Sequence, residues 1–187
     1  MPRAKLRPED WIRAALDAIA ENGISGVAVE TLSIRVGASK GSFYWHFSDR
    51  RALIEAAMHV WEETRTNATL RELQVIDDPR ERLQKLFAST FRNPAAARLE
   101  LALALDSSHP TVGPVVRRVT SRRLAFLAEA FRDLGFGKPG ARRRAVAAYS
   151  MQLGLMTVRE ASRSAVPGRH GALADYMSDL LEVAGRD

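Results

Sequence analysis

The chain has no cysteine among its 187 residues. That excludes a disulfide framework, thiolate zinc sites and a cysteine nucleophile, and it fits a reducing compartment such as the cytoplasm. No apolar run approaches the ~18 residues of a membrane span, so no membrane partner is expected. The start, MPRAKLRPED, is basic but has no apolar stretch behind it, and a secretory signal is not expected. The four histidines, at 46, 59, 109 and 170, are scattered without metal spacing. Glu-x-x-His, the pattern of a di-iron helical bundle, is absent, and the pair Glu55 and His59 reads as a solvated helix face. There is no Gly-x-Ser-x-Gly, no phosphate-cradling loop and no evident triad. These absences argue against an enzyme and assign no catalytic residue, metal or cofactor.

Lysine is also scarce, with four (5, 40, 85, 138) among 28 basic residues. The net charge of +6 suits a polyanion, but its distribution matters. Residues 1–51 hold eight Lys/Arg against six Asp/Glu, and residues 52–187 hold 20 against 16. Bulk charge therefore does not single out either part; the placement of individual cations must.

Strand signals are missing too, as are repeats and low-complexity segments. What is present is helical periodicity, broken by Gly and Pro turns. The expected fold class is all-α, with about nine helices near 8–22, 29–36, 40–47, 49–74, 80–92, 94–107, 111–134, 140–163 and 171–185. The first carries an apolar stripe of Ile12, Ala15, Leu16, Ile19 and Ala20, with Trp11 beside it as a packing residue. Gly23 supplies its left-handed end. The helix at 49–74 carries Leu53, Ile54, Ala57, Val60, Trp61 and Thr64, capped by Ser48. Residues 1–7, with Arg3, Lys5 and Arg7, read either as a solvated tail or as an arm along DNA.

The most specific stretch is VETLSIRVGASKGSFYWHFSDRR, residues 29–51. Val29, Leu32 and Val36 face inward, Gly37 ends the first short helix, and Ser39 caps the next. Phe43 and Phe47 anchor that second helix. Two short helices joined by such a turn and braced by a first helix make a helix-turn-helix, whose second helix enters the major groove N-terminus first. The residues then placed to meet a duplex are Ser39, Lys40, Gly41, Ser42, Tyr44, Trp45 and His46, with Thr31 before them and Arg50 after. Lys40 can donate to guanine O6/N7 or a phosphate, Ser42 and Tyr44 carry hydroxyl donors, and Gly41 admits close backbone approach. Lys40 and Arg50 have little to pair with locally besides Asp49. Packing roles for Tyr44 and Trp45, and capping roles for Ser39 and His46, are the alternatives.

Residues 8–60 resemble the DNA-binding signature of tetracycline-repressor (TetR) type regulators. The resemblance rests on the opening helix, Gly23, Leu32/Val36/Gly37, Ser39-Lys40-Gly41-Ser42 and Phe43-Tyr44-Trp45-His46-Phe47. It implies a bacterial homodimeric regulator with two parts: an arm and helix-turn-helix domain at 1–51, and a helical ligand-binding and dimerisation domain at 52–187. The implied partners are double-stranded operator DNA, a second copy of the chain, and a small hydrophobic or amphipathic effector that releases a repressor. Residues matching Lys40, Gly41, Ser42, Tyr44, His46 and Arg50 commonly face DNA in that family. Three positions depart: Ala28 stands where a Thr or Ser cap is usual, Ser33 where Ala is usual, and Glu30 where some members carry a cationic base reader. For Glu30 the helix dipole is the favoured role over accepting from cytosine N4. An effector-independent DNA-binding dimer, or a helical-bundle enzyme, are the alternatives.

Within 52–187 the inward aromatics, methionines and one leucine, Trp61, Phe87, Phe91, Leu103, Phe126, Tyr149, Met151 and Met156, are the candidate pocket. Glu100 and Asp106 could meet a cationic ligand. A dimer is expected through Ala145, Ala148, Gln152 and Leu155 on one helix, with Met156 on the same face, and Leu173, Tyr176, Met177, Leu180 and Leu181 on the last.

Overall fold

In the computed structural model, residues 6–90, 93–162 and 165 are described. Among them all regular structure is helical. The α-helices are α1 Pro8–Asn22, α2 Val29–Val36, α3 Lys40–Tyr44, α4 Arg50–Glu62, α5 Ala68–Gln74, α6 Pro79–Thr90, α7 Pro94–Leu105, α8 Val112–Asp133 and α9 Lys138–Ala161. Two compact units form: one is Met1–Thr64 with Arg98–Arg117, the other Arg65–Ala97 with Arg118–Asp187. The expected pocket residue Phe91 and the expected dimer residues Leu173, Tyr176, Met177, Leu180 and Leu181 lie outside the described residues, as do Arg3 and Lys5 of the arm.

In the first unit α1 begins with Pro8 at its first position, where no amide partner is needed. Asp10 accepts the Arg7 backbone N–H at 2.9 Å. The buried face of α1 is Trp11, Ala14, Ala15, Ala18 and Ile19, so the stripe is rotated from the expected one, and Ile12, Leu16 and Ala20 are only half-buried. The cause is tertiary: Trp11, fully buried, meets the ring of Phe43 edge-on at 5.4 Å and turns the helix with it. α1 also packs on α4, whose buried side is Leu53, Ile54, Ala57, Met58, Trp61 and Glu62. Val60 is half-buried and Thr64 exposed, against expectation. Asp49, not Ser48, caps α4, its Oδ1 accepting from the Ala52 amide at 2.8 Å.

The single helix expected at 49–74 is interrupted by a π-helical turn, Glu63–Asn67. Within the second unit, arginines of α8 grip this turn. Arg123 Nε donates to the Thr66 hydroxyl at 3.1 Å, and Arg122 donates to the Asn67 side-chain oxygen at 2.7 Å. These arginines lie 55 to 57 residues along the chain from the groups they meet, which is why periodicity cannot reveal the contact. Leu70 and Leu73 of α5 pack with Phe126, joined by Ile76 and Leu86. Arg82 ties α6 down by donating to the Ile76 carbonyl and to Asp133.

Candidate nucleic-acid interface

The reading head is set by its turn. Gly37 has φ 67° and ψ 37°, the left-handed geometry that glycine adopts without penalty. The Gly37 amide donates to the Ile34 carbonyl at 3.1 Å and the Ala38 amide to the Ser33 carbonyl at 2.8 Å, the paired bonds of a Schellman ending. Ser39 Oγ then accepts the Ser42 amide at 3.2 Å and starts α3. α3 is shorter than expected: it ends at Tyr44, and the amides of His46 and Phe47 both bond to the Phe43 carbonyl. Phe43 is fully buried and stacks on Phe47 at 5.7 Å, which anchors the inner side of α3. At the other end, Ala28 gives α2 no side-chain cap, in keeping with the weak start expected there.

The outer side carries the candidate contacts. Tyr44 is 60% exposed and Trp45 87%, values that leave these large rings no packing role beyond the edge contact of Tyr44 with Phe43 at 5.1 Å. Thr31, Ser39, Lys40 and Gly41 are exposed; Ser42 and His46 are half-buried. A Cβ added at Gly41 would meet nothing nearer than Ser39 Oγ at 3.7 Å, so nothing inside the chain demands a glycine there. Ile34 was not among the expected contacts, yet it is 83% exposed on α2. Its signal was available: it lies three residues beyond Thr31 and away from the Leu32 side of the helix.

The expectation that Lys40 and Arg50 lack local partners is overturned. Lys40 Nζ lies 2.5 Å from Glu30 Oε1. That ammonium holds the Glu30 carboxyl below its ordinary value, helped by a bond to Glu30's own backbone. Glu30 is thus more than a complement to the helix dipole. Arg50 donates through Nε to the Val27 carbonyl and through a terminal nitrogen to the Ile24 carbonyl, each at 2.5 Å. These bonds fasten the start of α4 to the loop between α1 and α2. Sequence reasoning missed both because the partners are 10 to 26 residues away.

The other expected groups scatter. Trp61 and Leu103 are buried in the first unit, and Phe87, Phe126 and Met156 in the second, while Tyr149 and Met151 are half-buried. Of these candidates, Phe126 lines a described groove. A groove of about 540 Å³ between α8 and α9 is lined by Leu124, Ala128, Arg132, Lys138, Arg142 and Val146 among others. A smaller one of about 180 Å³ includes Asn67, Arg122 and Phe126. Asp106 is not a free carboxylate for a cationic ligand either, since it accepts the Ile24 amide at 2.6 Å. On α9, Ala145, Ala148 and Gln152 are buried within the chain, and Leu155 is half-buried. The exposed side of α9 carries Val146, Ser150, Gly154 and Val158. Spacing finds both sides of a helix and cannot say which one the fold covers.

A short capped helix with a buried inner side and exposed hydroxyl, aromatic and cationic groups, set on a braced helix pair, defines a helix-turn-helix DNA-binding unit. Residues 12–57 match the profile of the bacterial regulatory proteins, tetR family. The chain is 44% identical over 52 residues to the tetracycline repressor protein class A from transposon 1721 of Escherichia coli, a match spanning 28% of this chain and 24% of that protein. It is 30% identical over 133 residues to the HTH-type transcriptional regulator BetI of Klebsiella pneumoniae, spanning 66% of this chain and 68% of that one. The fold superposes with a TM-score of 0.75 on a transcriptional regulator from Saccharomonospora viridis solved in complex with choline, at 19% identity over 94% of this chain and 93% of the other. The chain belongs to the TetR family of bacterial regulatory proteins, which are DNA-binding transcription regulators. No helix among the described residues is long and apolar enough to cross a membrane.

Proposed function

We propose that this chain is a homodimeric repressor that leaves its operator when a small molecule binds. Residues 1–51 form the arm and reading head, and residues 52–187 the effector and dimerisation part. The observation that carries the reading is the exposed face at the end of α3, where Tyr44 and the following Trp45 stand out in solvent while Phe43 behind them is fully buried. Folding leaves such a face uncovered at a cost in exposed apolar area, and a duplex with phosphates and base edges is the partner its chemistry fits. In this reading Lys40 meets base edges, Ser42 and Tyr44 meet phosphates, and Thr31, Ser39, Trp45 and His46 border the groove. Ile34 joins them as an apolar contact. Arg50 acts chiefly by bracing α4.

Two copies would place two α3 helices in successive major grooves, and the exposed side of α9 is the surface we assign to the pairing. The effector is small and hydrophobic or amphipathic; the choline complex of the S. viridis protein supports a family fold that accommodates a small ligand. Such a protein works on DNA in the cytoplasm. The test is selection of duplexes from a random-sequence pool with the full chain. Recovery of a pseudo-palindromic sequence is expected. Tyr44→Ala and Lys40→Ala should each lose selective binding while remaining folded dimers by light scattering. A pool that yields no consensus would overturn the reading. Candidate effectors are then screened by their stabilisation of the protein and their release of the recovered duplex.

A further inference from the structure

Three exposed cations of the first unit each carry a carboxylate partner: Arg35 with Glu21, Lys40 with Glu30, and Arg51 with Glu55. Two of these pairs resemble ordinary surface ion pairs. The third joins the two helices of the helix-turn-helix itself, because Lys40 opens α3 and Glu30 lies in the first turn of α2, whereas Arg35–Glu21 ties α2 back to α1. Both side chains are about 60% exposed, at 58% and 62%, so the pair stands on the surface and is not a packing device.

Glu30 is costly there in simple electrostatic terms, since a carboxylate facing a duplex repels phosphate. Its geometry supplies a compensating role. A lysine ammonium has three donors on a flexible four-carbon stem, and near DNA a free one drifts to phosphates, which carry no sequence information. With one donor held by Glu30 at 2.5 Å, two remain at the start of α3, on an exposed side chain. The Glu30 carboxylate keeps spare acceptor capacity beside them. Two donors next to an acceptor complement the N7, O6 and N4–H₂ edge of a G·C pair, and no other pair in the major groove presents that order.

We propose that Glu30 is a specificity-determining residue that holds the Lys40 ammonium on base edges and off the phosphates, so that the pair together reads one G·C base pair. The inference rests on the reading of α3 as the DNA-facing helix. Glu30 acts mainly through Lys40 and is in that sense a positioning residue.

The experiment uses the full chain and its Glu30→Gln variant. Selection from a random duplex pool should show that the variant loses about tenfold of its preference for G·C at one position per half-site, as expected for loss of one good base contact. On a scrambled duplex of the same length, Glu30→Gln should bind severalfold more tightly than the parent. Its plot of log affinity against log salt should steepen by about 0.9 per reading head, as the freed Lys40 neutralises a phosphate. Adding Lys40→Gln to Glu30→Gln should remove that extra slope. The melting temperature should stay within a degree or so of the parent, because an exposed pair contributes little to stability. An unchanged base preference in Glu30→Gln overturns the proposal, and so does an extra slope that survives in the double variant. If the parent itself selects no consensus and Tyr44→Ala binds as the parent does, the reading of α3 has failed and this inference falls with it. That outcome is visible without any Glu30 variant.

Discussion

Asp106 Oδ2 accepts the backbone amide of Ile24 at 2.6 Å, across 82 residues of sequence. The bond fixes the loop that follows α1 to the segment that follows α7, both within the first compact unit. The Ile24 carbonyl in turn accepts from Arg50, so one residue of this loop is held from both sides. Gly23, beside it, has φ 67°, and a Cβ there would stand 3.0 Å from Asp106 Oδ2. The carboxylate and the glycine are therefore one arrangement: the turn needs positive φ, and the acceptor needs the space that a side chain would fill.

Asp106→Ala should lower stability by about 1–3 kcal/mol, because it leaves a part-buried amide without its charged acceptor. Gly23→Ala should cost a similar ~1–3 kcal/mol through backbone strain and crowding. The two effects should be less than additive in the double variant, since both act on one contact. Urea denaturation of the four proteins measures this. Full additivity would mean that the two residues do not share a contact.

Arg50→Ala should cost about 1–2 kcal/mol, since two loop carbonyls lose a cationic donor. Arg50→Lys should recover only part of that, because one ammonium cannot reproduce the spread donors of a guanidinium. The salt dependence of DNA binding should change little in either variant. An unaltered melting temperature with a salt slope shallower by about 0.9 would identify Arg50 as a phosphate contact instead.

Gly41→Ala separates folding from recognition. Nothing within the chain opposes a Cβ at this position, and alanine favours a helix over glycine by up to about 1 kcal/mol. The variant should melt slightly higher than the parent and yet bind duplex more weakly, as its methyl group enters the space where the backbone of α3 would approach DNA. Thermal melting and fluorescence anisotropy on the same preparation check the two directions. Equal or tighter DNA binding would remove Gly41 from the interface.

The pH dependence of the head has a defined sign. Arg35 donates to both oxygens of Glu21, at 3.2 and 2.5 Å, and holds the Glu21 carboxyl below its ordinary 4.5. A carboxyl lowered in the folded chain stabilises it above the unfolded value and loses that effect as pH falls through the folded value. Relative to Glu21→Gln, the parent should therefore show a small advantage in urea midpoint at pH 7 that is lost as pH falls through the lowered value of the folded carboxyl. An advantage that grows on acidification would contradict the pairing.

On α9 the buried and exposed sides predict opposite failures. Ala148 is fully buried, and Ala148→Arg should unfold the protein by placing a charge in a packed interior. A Cβ at Gly154 would meet no atom within 4 Å, so Gly154→Arg should keep its helicity by circular dichroism. Its mass by light scattering should fall from dimer to monomer if this side is the dimer surface. A dimer that survives Gly154→Arg would place the pairing elsewhere.

Local chemistry by itself determined the turn of the reading head. Gly37 ends α2 in the left-handed region, Ser39 caps α3, and Phe43 with Phe47 turns inward; each follows from residues three to five positions apart. The all-helical class follows in the same way, from apolar spacing and from Pro and Gly breaks. Only the tertiary structure decided which flank of α1 Trp11 would turn inward, where a π turn would interrupt residues 49–74, and which side of α9 would be covered. It also decided that Lys40 rests on Glu30 and that Arg50 grips the loop behind α1. The physical reason is common to all of them. A helical repeat gives the existence of a face, while its orientation and the partners of a long cationic side chain depend on groups that the folded chain brings from far along the sequence.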